Sequence, residues 1–190
     1  MIKVGLIGES EYDRESMKNL LTRLYGEKVH FTHLLKSLPG TYLDTEKALK
    51  LLAKELVEKP IDAIIVQRDL DAPESNAVKI AERKAFFNDV SLRSAAPVIR
   101  LLHIQMLEAL ILADLNGFNK RFKATATFTG DPMHQEKPKR WLRDKCKRDA
   151  YEAKHSPELF LLLDIEKLKK VRYFKKFINE FEHYLNNKAA

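Results

Sequence analysis

Short apolar runs alternate along the chain with stretches whose apolar positions return every three or four residues. Residues 3–7 (KVGLI) have the length of a buried strand and are closed by Gly8. Met17, Leu20, Leu21 and Leu24 then share one helical face, and Gly26 follows as a stop. Residues 29–35 predict a second strand, and Pro39-Gly40 breaks it off. Asp44 is placed to cap a helix carrying Leu49, Leu52, Ala53 and Leu56, which Pro60 ends. Residues 61–66 (IDAIIV) predict a third strand, apolar on both faces as when both are covered. Pro73 sits where a helix through Ala77, Ile80 and Ala81 would open. Residues 97–104 predict a fourth strand, interrupted by Arg100 and His103, and residues 105–115 an almost wholly apolar helix.

This βαβαβαβ order predicts an α/β fold: a Rossmann-like parallel sheet with helices on both faces. Residues 1–120 form its core. Residues 121–190 predict a basic, mainly helical C-terminal extension of the same domain. Within it, residues 124–129 (ATATFT) read as a short strand or extended loop, and Pro138 opens a helix through Trp141 to Arg148. Phe174, Phe177, Ile178, Phe181, Tyr184 and Leu185 recur at helical spacing, as a core-packing stripe does.

The composition, 45% hydrophobic and 32% charged, is that of a soluble globular chain, and no apolar run reaches the ~20 residues of a membrane helix. With no signal-peptide pattern, a cytoplasmic location is the expectation. The single cysteine, Cys146, excludes an internal disulfide and a cysteine-based zinc site. The six histidines are scattered without zinc spacing. The net charge of +7 is concentrated between residues 137 and 154, where Lys137, Lys139, Arg140, Arg143, Lys145, Lys147, Arg148 and Lys154 suit a polyanion such as nucleic acid.

In parallel sheets, ligands bind beyond the carboxyl ends of the strands. There the sequence places Glu9 after strand one and Asp69 and Asp71 after strand three, with Asp13 on the first turn of the next helix. Converging carboxylates repel and raise one another's pKa, and a hard cation such as Mg²⁺ or Mn²⁺ relieves that repulsion through oxygen ligands. Glu108 stands alone in its apolar helix. It is either paired or metal-bound, or it marks the helix's one exposed stripe.

Glu9 with Asp13, followed by RDLDA, resembles the Toprim domain of topoisomerases, primases and nucleases. The stretches IQMLEALILAD and KPKRWL are similar to segments of small single-domain bacterial Toprim proteins related to nucleases of the overcoming-lysogenization-defect (OLD) family. Ser10 and Ala72 stand where that family usually has glycine. The resemblance implies a metal-dependent endonuclease acting on DNA or RNA. Asp69 and Asp71 would be the main ligands, Glu9 a ligand or general base, and Asp13 and Glu108 supporting ligands. Lys139, Arg140 or Lys154 would neutralise the scissile phosphate, and Lys137, Arg143 and Lys147 would hold the flanking backbone. It also implies a role in anti-phage defence beside a separately encoded ABC/SMC-type ATPase. The chain has no GxxxxGK[ST] loop of its own. The alternative is a non-catalytic nucleic-acid-binding or protein-interaction module. A phospho-receiver fits less well, because the chain has a DxD and no obvious lysine after a fifth strand.

Overall fold

The computed structural model describes every residue but Arg148 and Ala190, so one cation of the basic segment lies outside the described residues. Four parallel strands, β1 (Ile2–Ile7), β2 (Val29–His33), β3 (Ala63–Asp69) and β4 (Val98–His103), form one sheet in the order β2-β1-β3-β4. Helix α1 (Glu11–Tyr25) joins β1 to β2, α2 (Glu46–Glu58) joins β2 to β3, and α3 (Ala77–Arg93) joins β3 to β4. The α/β fold expected from the alternating pattern is the one formed.

Side chains alternate across the strands. Ile64 and Val66 point into a core shared with Leu49 and Leu52 of α2 and Phe86, Phe87 and Val90 of α3. Val4, Leu6, Ile65, Ile99 and Leu101 point into the larger core on the opposite face, with Met17, Leu20 and Leu21 of α1. That second core also takes in the chain beyond β4: α4 (Ala109–Ala113), α5 (Asn116–Phe122), α6 (Pro138–Lys145), α7 (Ser156–Phe160), α8 (Ile165–Leu168) and α9 (Arg172–Ala189). Phe181 of α9 packs edge-on to Tyr25 and tilted against Phe31, and stacks on Phe177. The C-terminal helix thus covers the sheet as intimately as α1 does.

Several element ends differ from the sequence expectation. Thr45, not Asp44, caps α2, accepting from the Ala48 amide at 3.3 Å. Asp44 is instead drawn to two arginines. β2 stops at His33, and Leu35 adopts a left-handed backbone with φ 54°. β3 runs on to Asp69, three polar residues past the apolar run, because Gln67 pairs with the buried His103 and Arg68 with Glu9. Helix α3 begins only at Ala77, capped by Asn76. The apolar helix expected over residues 105–115 is cut to Ala109–Ala113, since Gln105 is left-handed (φ 63°) and the Leu107 amide is spent on the Asp69 side chain. Helix α6 ends at Lys145. Residues 124–129 form no strand. The Asn119 side chain clasps the Ala126 amide and carbonyl, each at 2.9 Å, and holds the segment extended.

The amino end of β1 and the last turns of α9 meet at the pole of the sheet away from the strands' carboxyl ends. Asp62 accepts from the Lys3 amide at 2.9 Å and pairs with Lys188 at 3.4 Å, and the Tyr184 hydroxyl donates to the Asp62 carbonyl at 2.9 Å. No helix among the described residues is long and apolar enough to cross a membrane.

Truncating Phe181 to Ala should lower the unfolding free energy by about 3–5 kcal/mol. A chemical denaturation curve should remain a single transition. A separate early transition, with the main one unmoved, would show that α9 is not part of the core.

Candidate functional site

The carboxyl ends of β1 and β3 are neighbours, with Ile7 beside Val66. Glu9 therefore reaches across: its Oε1 accepts from the Asp69 amide at 3.2 Å and lies 2.9 Å from Arg68 Nε. Gly40 backs this loop so closely that a Cβ there would meet the Glu9 carbonyl oxygen at 2.7 Å and its Cα at 2.9 Å. Ser10 caps α1 and accepts from the Asp13 amide at 3.1 Å, while Asp13 Oδ2 accepts from the Ser10 amide at 2.9 Å. This reciprocal capping box fixes the first turn, and it explains a serine at this position.

Asp69 ends β3. Its Oδ1 accepts from the Leu107 amide at 2.9 Å, and its carbonyl accepts from Arg83 Nε at 2.9 Å. Beyond it, two loops interlock: the Asp71 amide donates to the Gln105 carbonyl at 2.8 Å, and the Gln105 amide to the Ala72 carbonyl at 3.3 Å. Asp71 and Gln105 are both left-handed, at φ 54° and 63°. Non-glycine residues hold that conformation only where surrounding bonds impose it, as these do.

The sequence-predicted acids lie in two flanks on either side of Asp69, within range to raise its pKa. Although Asp69 keeps some exposed area, its carboxyl is held well above the usual range, first by desolvation and then by Asp13, Glu9, Glu108 and Asp71. On one flank, burial raises Glu9, and Arg68 and Arg83 oppose the rise. On the other, burial raises Asp13 and Glu108, and Lys139 of α6 opposes the rise in both. Glu108 is only 5% exposed and accepts from the Tyr151 hydroxyl at 3.4 Å, which itself bonds Ser156. Glu108 is thus a buried, paired acid, and the exposed-stripe reading is overturned.

Sequence reasoning missed the cations. Arg68 is 4% exposed, lies over the Phe86 ring at 4.9 Å, and reaches Asp44 Oδ2 at 3.1 Å. Arg83 also reaches Asp44 at 3.4 Å, and Asp71 at 3.9 Å. The geometry of the Arg68–Glu9 approach is that of an ion pair rather than an aligned hydrogen bond, because Arg68 Nε and Nη1 have no hydrogen-bond partner. On this flank arginine compensates the acids, a role the sequence reading gave to a divalent ion alone. Also missed were Gln67, which donates to the Asp13 carbonyl at 2.9 Å and meets His103 Nε2 at 3.2 Å, and Tyr173, whose buried hydroxyl has no partner and whose ring packs edge-on to His103. Burial pushes His103 down to about 3, so it stays neutral. An arginine placed directly before the DxD acid was the one sequence signal available for any of these.

Residues 8–182 match the family model described as "Domain of unknown function (DUF4276)". The chain belongs to the DUF4276 family. No curated protein and no solved structure matches it. The DUF4276 match takes in every acid of the rim and the basic segment alike.

Only part of that basic segment turns to the acids. Lys139 is half-buried, and its charge lowers the carboxyl pKa of Asp13 and Glu108. Arg140 pairs with Asp144 at 3.8 Å and Lys154 with Glu152 at 3.0 Å, all exposed. Lys137, Arg143 and Lys147 are exposed, with Lys137 left-handed (φ 52°) at the start of α6. Lys145 lies over Trp141, which packs edge-on to Phe128.

An all-oxygen donor set of Asp69, Glu108 and Asp13 suits a hard cation. Among the described residues, no three acidic, histidine or cysteine side chains stand close enough to enclose an ion directly.

Two outcomes follow. A raised carboxyl binds its proton more tightly folded than unfolded, so its share of stability falls as pH climbs from the ordinary carboxylate range through the raised value. Asp69→Asn should therefore unfold at a higher temperature than the native chain at about pH 8, with the gap closing towards about pH 4. A constant gap, or a less stable variant at the higher pH, would contradict the assignment. Gly40→Ala should destabilise by about 1–3 kcal/mol in urea titration, because the methyl group meets backbone.

Proposed function

We propose that this chain is a divalent-cation-dependent nuclease of the Toprim type. The observation that carries the reading is Asp69: one desolvated carboxyl at a strand end, within the field of Glu9, Asp13, Asp71 and Glu108. Asp69, Asp13 and Glu108 would hold Mg²⁺ or Mn²⁺, which supplies Lewis-acid stabilisation of the attacking and leaving oxygens of a phosphodiester. Lys139, beside the same acids, neutralises charge that develops on the phosphate. Lys137, Arg143, Lys147 and Lys154 bind the flanking backbone, with Arg140 at the edge of the same face. Asp71, a main ligand in the sequence expectation, and Glu9, a ligand or general base there, have arginines beside them, Arg83 at 3.9 Å and Arg68 at 2.9 Å, and would complete the site from that flank. The setting is cytoplasmic, beside a separate ABC/SMC-type ATPase in defence against phage.

A second reading has its own support. Arg68 at 2.9 Å from Glu9 and Arg83 beside Asp71 compensate those acids without any ion, as befits a module that binds nucleic acid or protein and does not cut.

Plasmid, single-stranded DNA and tRNA incubated with Mg²⁺ or Mn²⁺ should be cleaved, and chelator should stop it. Asp69→Ala should lower the rate at least about a hundredfold while leaving retention on a nucleic-acid column unchanged. Equal cleavage by Asp69→Ala would remove the assignment. Binding without cleavage in every metal would favour the non-catalytic module.

A further inference from the structure

The outer edge of β4 carries unused main-chain bonding capacity. β4 ends the sheet. On its β3 side, the Pro97 carbonyl accepts from Ile64, the His103 carbonyl from Leu70, and the Gln105 amide donates to Ala72. Successive peptide groups of a strand turn to opposite sides. The amides and carbonyls of Val98, Arg100, Leu102 and Ile104 therefore face away from β3, and among the described residues they have no main-chain partner outside the strand.

Those four residues floor a groove of about 710 Å³. Lys84 and Phe87 of α3 form one wall, and Lys176 and Phe177 of α9 the other. The floor spans about 20 Å at a strand's rise per residue. The side chains of an added strand would point alternately towards Phe87 and towards Phe177.

We propose that this groove takes up an extended, acidic peptide of a partner protein as a fifth strand beside β4. Charge selects the occupant. Lys84, Arg100 and Lys176 have no carboxylate within ion-pair distance among the described residues, against one such acid, Glu180, while Arg172 and Glu74 at the rim pair with each other. A second copy docked edge to edge would set these cations against their equivalents, and like charges facing across strands repel. Nucleic acid offers no row of alternating amides and carbonyls to match the edge, whereas an extended peptide does. The inference is independent of the nuclease reading, since none of the rim acids lines the groove.

The test selects a phage-displayed library of random dodecapeptides on the full chain. Enriched peptides should be rich in Asp and Glu. Hydrogen exchange should slow at the Arg100 and Leu102 amides when a synthetic copy of an enriched peptide is added. The Arg100→Glu, Lys176→Glu double variant should bind that copy about tenfold more weakly. Failure to enrich, enrichment of basic or neutral sequences, or protection confined to other segments would each overturn the proposal. A sedimenting dimer abolished by Arg100→Glu, or protection of the same amides by an oligonucleotide, would also overturn it, in favour of a second copy or of nucleic acid. Because exchange is read on the native chain, misfolding of the variant would not rescue the idea.

Discussion

The Glu9 carboxylate, held between the Asp69 amide and the Arg68 guanidinium, is the fastening on which the rim depends. It joins the ends of two adjacent strands that no main-chain bond links at that level. Arg68 is secured further by the Phe86 ring and Asp44, so the fastening reaches from the sheet into α3 and the loop before α2. Desolvation is therefore tolerated on this flank by opposite charge. On the Asp13–Glu108 flank it is opposed by the Ser10 hydrogen bonds, the half-buried Lys139 and the Tyr151 hydroxyl, and on both flanks burial still leaves the carboxyls raised.

Main chain matters as much as carboxylates. The interlocked 71–72 and 105 loops hold two residues left-handed, and that geometry turns the Leu107 amide onto Asp69. That bond holds the Asp69 side chain among its neighbours' charges. The same interlock explains why an apolar stretch with strong helical character yields so short a helix in α4.

The strands, their parallel order and the apolar faces of the early helices were legible because burial imposes simple periods on side chains. The acids were legible because strand ends in such sheets are few and known in advance. What escaped were polar groups that behave as core. Gln67 and Arg68 look like the start of a loop, yet they lengthen β3, since each finds a partner from a distant segment. Asp44 looks like a cap and is an arginine bridge. Tyr151 and Tyr173 look like ordinary aromatic packing, and only the fold brings the Tyr151 hydroxyl to Glu108 and buries that of Tyr173. Pairings between remote residues leave no periodic trace, so no local pattern announces them.

The latch of Asp62 with Lys3 and Lys188 has a practical side. It gathers Met1, Ile2 and Lys188 around a single patch, at the pole opposite the carboxylates. A reporter group attached at Lys188 would therefore sit at the far pole of the sheet and leave the acidic rim uncovered.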